Sequence, residues 1–296
     1  YKNSLTRNKT QRRRLEKAAV RIQSKWRAYQ DLRRYRHDFR KDWDRKMGDL
    51  EKLVVMLETR GLSFVPPSST VYELLREFNF FDTSNRLSST KYSHDFHRVR
   101  RMSHLVLKSM MSSVQNQNIL AFEPQNSWKI QARNFVLRLC PALLHLDEST
   151  KDLEDTIIDV LNIMFDEKRW PESMCENANE ILQSCVMSRE RSEWTLFKVV
   201  REFLDRDVVK RNHRVESVFV SLCRKLILQK SDHENIIASA FSNTVLTARH
   251  ATKPLNSPFG IMLTSDLFGT TTWSLCIESM LISEDLNTIA GLLCTL

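Results

Sequence analysis

Near the start of the chain, Ile22-Gln23-Ser24-Lys25-Trp26-Arg27-Ala28-Tyr29-Gln30-Asp31-Leu32-Arg33-Arg34 brings apolar, amide and guanidinium groups together at helical spacing. Ile22 and Trp26 are four residues apart, as are Gln23 and Arg27, so on a helix each pair shares a face. The first pair can fill apolar pockets. Once buried, the Gln23 amide needs hydrogen-bond partners, and the Arg27 guanidinium is suited to carboxylates. The set holds no nucleophile and no acid–base pair. Its chemistry is recognition of a surface that is apolar in its groove and acidic around it.

A helix has to carry these groups. Residues 10–46 contain no Gly or Pro, and Leu15, Ala19, Ile22, Trp26, Tyr29 and Leu32 recur at steps of three or four. That pattern predicts one long helix with an apolar stripe. Residues 1–41 hold 15 Lys and Arg against three acids, or +12, and residues 42–296 hold 30 against 33, or −3. The formal net charge of +9 therefore belongs to a basic arm, residues 1–46, and the body, residues 47–296, is near neutral. Such an arm attracts acidic partners: nucleic acid, anionic lipid or an acidic protein. No nucleic-acid module follows it, which argues against the first.

In the body, a helix over 49–60 is predicted to present Leu50, Leu53, Val54 and Leu57 on one face and to stop at Gly61 in a left-handed cap. Pro66-Pro67-Ser68-Ser69 marks a loop, and Thr70 is expected to cap a helix over 71–81. A polar connection, 82–91, leads to a helix over 93–117 with Phe96, Val99, Met102, Leu105, Val106 and Met110 as its buried stripe. Ser127 is expected to cap a helix over 128–146 that Pro141 kinks. Further helices are predicted over 152–166, 172–188, 191–206, 214–229 and 233–251, then a loop over 253–260 and two or three short helices. No stretch alternates with period two for long enough to argue for a sheet. The expected fold is all-α: a long basic N-terminal helix, then an armadillo- or HEAT-like array, without a clean sequence repeat of fixed period.

Composition excludes several classes. The only glycines are Gly48, Gly61, Gly260, Gly269 and Gly291. Phosphate-cradling loops and β-sandwich turns need more of them, and elsewhere in the chain. The six cysteines, Cys140, Cys175, Cys185, Cys223, Cys276 and Cys294, include no C-x-x-C pair and read as reduced, buried thiols of a cytoplasmic or nuclear protein. No apolar run reaches the ~18–20 residues of a membrane span. His94, His97 and His104 could turn two imidazoles to one helix face, but no Cys or carboxylate completes a metal site at suitable spacing, so solvated or capping histidines are expected. Asp152, Glu154 and Asp155 stand at a helix start, where acids favour the macrodipole. No catalytic residue, metal or cofactor is assigned. Tyr1 and the apolar run 289–296 suggest that both ends are cuts through a longer protein.

The run from Ile22 resembles the IQ motif, the basic helix held by calmodulin or calmodulin-like light chains. Ile22, Gln23 and Arg27 match the motif; Ala28 replaces its usual Gly, and Leu32 stands where its second basic residue is expected, with Arg33 one place late. The resemblance implies a calmodulin-type partner, bound through Ile22, Gln23, Trp26, Arg27 and Arg33, with a weaker grip by the lobe that faces the altered second half.

A basic lead-in, Arg12-Arg13-Arg14-Leu15-Glu16-Lys17, precedes this helix. The aromatic-ending segment Leu74-Leu75-Arg76-Glu77-Phe78-Asn79-Phe80-Phe81 and the basic-apolar segment Arg98-Val99-Arg100-Arg101-Met102-Ser103-His104-Leu105 follow it. Over about the first 110 residues this order resembles the N-terminal region of HECT-type E3 ubiquitin ligases that carry one IQ motif. The resemblance implies a non-catalytic piece that binds substrates or regulators. It would meet a ubiquitin-charged E2 only through a HECT domain absent from this sequence; Cys294 lacks the flanking pattern of the HECT cysteine. Three alternatives stay open on the residues: an IQ-type helical scaffold without ubiquitin chemistry, a nucleic-acid-binding arm, and a basic helix whose stripe simply packs on the body.

Overall fold

The computed structural model describes residues 2–81, 96–121, 125–146, 150–186, 195–206, 211–229, 234–246 and 258–262. Ten α-helices are seen among them: α1 (Lys2–Glu58), α2 (Ser68–Phe81), α3 (Phe96–Met111), α4 (Gln125–His145), α5 (Lys151–Met164), α6 (Glu172–Ser184), α7 (Leu196–Leu204), α8 (His213–Leu228), α9 (Glu234–Leu246) and α10 (Pro258–Met262). Two short 3-10 turns, Gln115–Gln117 and Ile119–Ala121, join α3 to α4. The described residues contain no strand, so the fold is all-α, as the sequence predicts. No helix among them is long and apolar enough to cross a membrane.

The two helices expected over 10–46 and 49–60 are one helix of 57 residues. Gly48 lies inside it, and a Cβ there would meet only Arg101 Nη2, at 3.7 Å, an ordinary contact. The helix stays continuous because groups on both sides of Gly48 are anchored. Trp43 and Met47 are fully buried. Arg98 holds Asp44 in a two-pronged ion pair, Nε–Oδ1 3.0 Å and Nη2–Oδ2 2.6 Å. Arg101 holds Glu51 in another, at 2.7 and 2.8 Å. The boundary drawn at 46/47 therefore falls between two core residues of one helix. Gly61 ends the turn beyond α1 with a φ of 73°, the left-handed conformation expected of it.

Other boundaries shift by a few residues. Thr70 and Ser127 are inside their helices rather than capping them, because α2 begins at Ser68 and α4 at Gln125. Backbone bonds from Thr70 and Val71 to the Pro67 carbonyl close the first turn of α2. The α4 helix runs on through Pro141 to His145. The helix expected over 93–117 gives way after Met111 to the two 3-10 turns, where Ser109 Oγ accepts from the Ile119 backbone N–H at 2.9 Å. Thr195 and Asn212 cap α7 and α8 through their side-chain oxygens.

The helices stack in two rows. In the first, α1 pairs with α3, α3 packs extensively on α5, and α5 meets α8, which meets α10; in the second, α2 packs on α4, α4 on α6 and α7, and α7 on α9. Polar ties between successive members join residues 50 to 59 apart in sequence. Asn79 Nδ2 donates to the Gln131 carbonyl at 2.8 Å, Arg100 pairs with Asp152 at 2.6 Å, and Asn212 Nδ2 donates to both Glu154 oxygens at 3.0 Å. Asp155 meets Arg214. The acids at the start of α5 are thus bound to α3 and α8. Between the rows lies one core that runs from Trp43 to Met262 and includes Phe78, Phe135, Phe219 and Phe241.

Because α1 joins this core only from its last third, a chain beginning at residue 35 should keep the cooperative thermal melt of the whole chain. Trp43→Ala should instead lower stability by about 3–5 kcal/mol, as removal of a core aromatic does. Thermal and urea unfolding followed by circular dichroism compare the two. A chain starting at residue 47 also loses Trp43 and should fail with the point variant.

Candidate functional site

The residues that the sequence singles out all sit on one continuous helix, α1. Ile22, Gln23, Trp26, Arg27 and Arg33 are exposed. Ile22 is 68% accessible, Trp26 60% and Tyr29 55%, high values for large apolar side chains outside a core. Leu15 and Leu32 are also exposed, so the apolar stripe stays open to solvent over more than four turns. Its only described ring contact is internal: Trp26 and Tyr29 lie 5.9 Å apart, tilted by 30°. The stripe therefore does not pack on the body.

Helix geometry orders these groups. Ile22 and Trp26 stack one turn apart, and Arg33, eleven residues after Ile22, comes round to the same face three turns on. Gln23 and Arg27 line the adjacent flank. The departure from the usual motif spacing thus puts a guanidinium at the end of the apolar stripe. Arg12 Nε pairs with Glu16 at 3.1 Å, an exposed i, i+4 contact that supports the helix by a few tenths of a kcal/mol at most.

The stripe is uncovered because its neighbours start too late. Antiparallel to α1, α2 places Glu77 against Lys46 at 2.6 Å, Phe78 against Trp43 with centroids 5.9 Å apart, and Phe80 against Phe39 at 5.0 Å. One residue later α2 ends. Parallel to α1, α3 begins at Phe96 and reaches Asp44, Glu51 and Glu58 in order through Arg98, Arg101 and Lys108. Both covers start at the level of Phe39–Asp44, and Leu15 to Tyr35 project beyond them. The sequence does not show this limit, since the apolar spacing continues unbroken from the open stripe into the buried residues Trp43 and Met47.

A groove of about 410 Å³ between α1 and α2 has Leu50, Leu53 and Leu74 in its walls, and its Glu77 carboxylate is held by Lys46. Among the described residues no group of three His, Cys, Asp or Glu side chains could hold a metal. His97 and His104 are exposed; His94, Cys276 and Cys294 lie outside the described residues. Cys140, Cys185 and Cys223 are fully buried free thiols. Burial pushes Cys185 up to about 12 and raises Cys140 and Cys223 as well. Cys175, partly accessible, is raised by burial first and then by nearby Glu167. Each of these four thiols is held away from the thiolate that nucleophilic chemistry needs.

These shifts set a pH dependence. A buried thiol whose folded value is raised above its unfolded value, about 8.5, stabilises the fold below that pH and loses its contribution as pH climbs above it. Mass-spectrometric mapping of iodoacetamide adducts at pH 8 should find Cys175 modified first among the four and the other three protected in the folded chain. Protection should fall as pH rises past about 9.

No family model, curated protein or solved structure matches this chain.

Proposed function

We propose that this chain is a non-catalytic binding region of a HECT-type E3 ubiquitin ligase, and that its N-terminal helix is held by calmodulin or a calmodulin-like protein. The observation that supports the binding role is the open stripe: Ile22, Trp26 and Tyr29 stand in solvent on a helix whose other end is locked in the core. An exposed apolar stripe of this length marks an interaction surface. The 15 basic residues of positions 1–41 fit the acidic exterior of such a partner, and Ile22 and Trp26 fit its flexible apolar grooves.

In this reading Ile22 is the main anchor and Trp26 the second. Gln23 bonds to backbone of the enclosing lobe, and Arg27 and Arg33 meet carboxylates at its rim. The helix enters the complex preformed at its C-terminal end, which lowers the ordering cost of binding. We read the two-row stack as an armadillo- or HEAT-like body that offers surfaces to protein substrates and regulators, in the cytoplasm or nucleus. Ubiquitin transfer from a charged E2 would belong to a HECT domain outside this sequence.

Calorimetry with calmodulin and the whole chain tests the anchors. Ile22→Ala removes most of one buried side chain, worth ~2–4 kcal/mol, so affinity should fall roughly 30-fold or more. Gln23→Leu should cost less than that, and Arg34→Ala least, since a rim charge is screened by salt and acts mainly on the association rate. Should Arg34→Ala weaken binding as much as Ile22→Ala, and salt abolish all of it, the arm is a generic polycation and the proposal fails.

A further inference from the structure

At the root of the arm the structure leaves a second apolar feature open. Phe39 of α1 and Phe80 of α2 meet edge to face with centroids 5.0 Å apart, yet remain 38% and 42% accessible. Phe39 lies thirteen residues beyond Trp26, about 20 Å along the helix at 1.5 Å per residue. Around it, positions 33–41 carry Arg33, Arg34, Arg36, Arg40 and Lys41 against the single acid Asp38. Phe80 stands on the body, so this surface combines both parts of the molecule.

We propose that this aromatic pair seats the second lobe of the bilobed partner, so that the partner grips the arm at Ile22 and Trp26 and the body at Phe80. The inference rests on the reading of the arm as a calmodulin-type site. Its first support is size. A compact lobe of about 70 residues has a radius of gyration near 11 Å and so an outer radius of about 14 Å, which puts the centres of two lobes side by side about 25–30 Å apart. A first lobe centred on Ile22–Trp26 puts the second at the root of the arm, about one turn beyond Phe39 and against it. The arm is too short there to carry it without touching Phe80.

The second support is the altered half of the motif. Leu32 occupies the place of a basic residue, which removes a rim contact from the helix itself. The exposed rings of Phe39 and Phe80 supply apolar contact two turns further on. The third is charge: the stretch of α1 that carries Phe39, positions 33–41, holds five cations and one acid, which complements the acidic rim of an EF-hand lobe. Clamped this way, the partner fixes the arm to the body.

The test uses the whole chain and calmodulin, with and without calcium, in calorimetry. Phe80→Ser should weaken binding by about five- to tenfold, the share expected for burying the open part of one aromatic ring. Phe80→Leu, which keeps an apolar side chain, should restore most of the loss. Both variants should keep a cooperative thermal melt, with Phe80→Ser somewhat below the parent because it loses the Phe39 ring contact. If Phe80→Ser binds as tightly as the parent while Ile22→Ala loses affinity, the second lobe is elsewhere and the inference falls while the arm site stands. If the parent chain does not bind at all, both fall. If Phe80→Ser instead converts a dimer to a monomer in sedimentation, the pair is a self-association contact and the inference is overturned.

Discussion

The arrangement depends on one buried side chain, Trp43. Its ring is fully enclosed, its Nε1 donates to the Leu74 carbonyl at 3.0 Å, and Phe78 stands 5.9 Å away. The Arg101 guanidinium lies over the ring at 5.6 Å while its nitrogens hold Glu51. One residue of α1 thus joins α2 and α3. A tryptophan buried with its N–H satisfied combines large apolar burial with a directional bond. It fixes both the depth and the direction of the helix, and an α-helix transmits that direction along its whole length. Wherever Trp43 points α1, the residues from Leu15 to Tyr35 must follow.

The consequence is an asymmetric helix. From Trp43 to Leu50 it packs into the core, and from Asp44 to Glu51 it is tied to α3 by ion pairs whose Arg98 and Arg101 ends are largely shielded from water. Before Phe39 it is held by its own backbone bonds and by residues of good helix propensity, Arg, Lys, Leu, Gln, Glu and Ala. Isolated helices are marginal in water, and in proteins most helical stability comes from packing an amphipathic face. The arm has the face but lacks the packing. In the proposed complex a partner that buries Ile22 and Trp26 supplies what the body withholds, so the same uncovered stripe that weakens the arm in isolation would be its binding surface.

Much of this was legible in the sequence. The heptad-like stripe, the charge separation at residue 41 and the left-handed Gly61 follow from local chemistry, and the residues named for the α3 stripe are those that pack. Gly48 misled, because a glycine in a polar stretch suggests a break, whereas Trp43, Met47 and the paired Asp44 and Glu51 hold the helix together from outside. Which helices pair was hidden for a related reason. Helices neighbouring in a row are tied through different residues at each step, Asp44–Arg98 in one place and Asp155–Arg214 in another, so no recurring motif marks the contacts. Phe80 could not be assigned from sequence at all, since nothing local shows that α2 ends where the arm begins.

The central claim is that α1 is one helix with a free half awaiting a partner. Amide hydrogen exchange resolved by segment measures this most directly. Residues 11–34 of the chain alone should exchange orders of magnitude faster than α3 and α5, because they can open without disturbing the core. With saturating calmodulin the same segment should slow by at least ~tenfold while α3 and α5 are unchanged, an added stability of ~1.4 kcal/mol or more. An arm already as slow as α3 in the absence of a partner, or one that calmodulin leaves unprotected, would contradict the account.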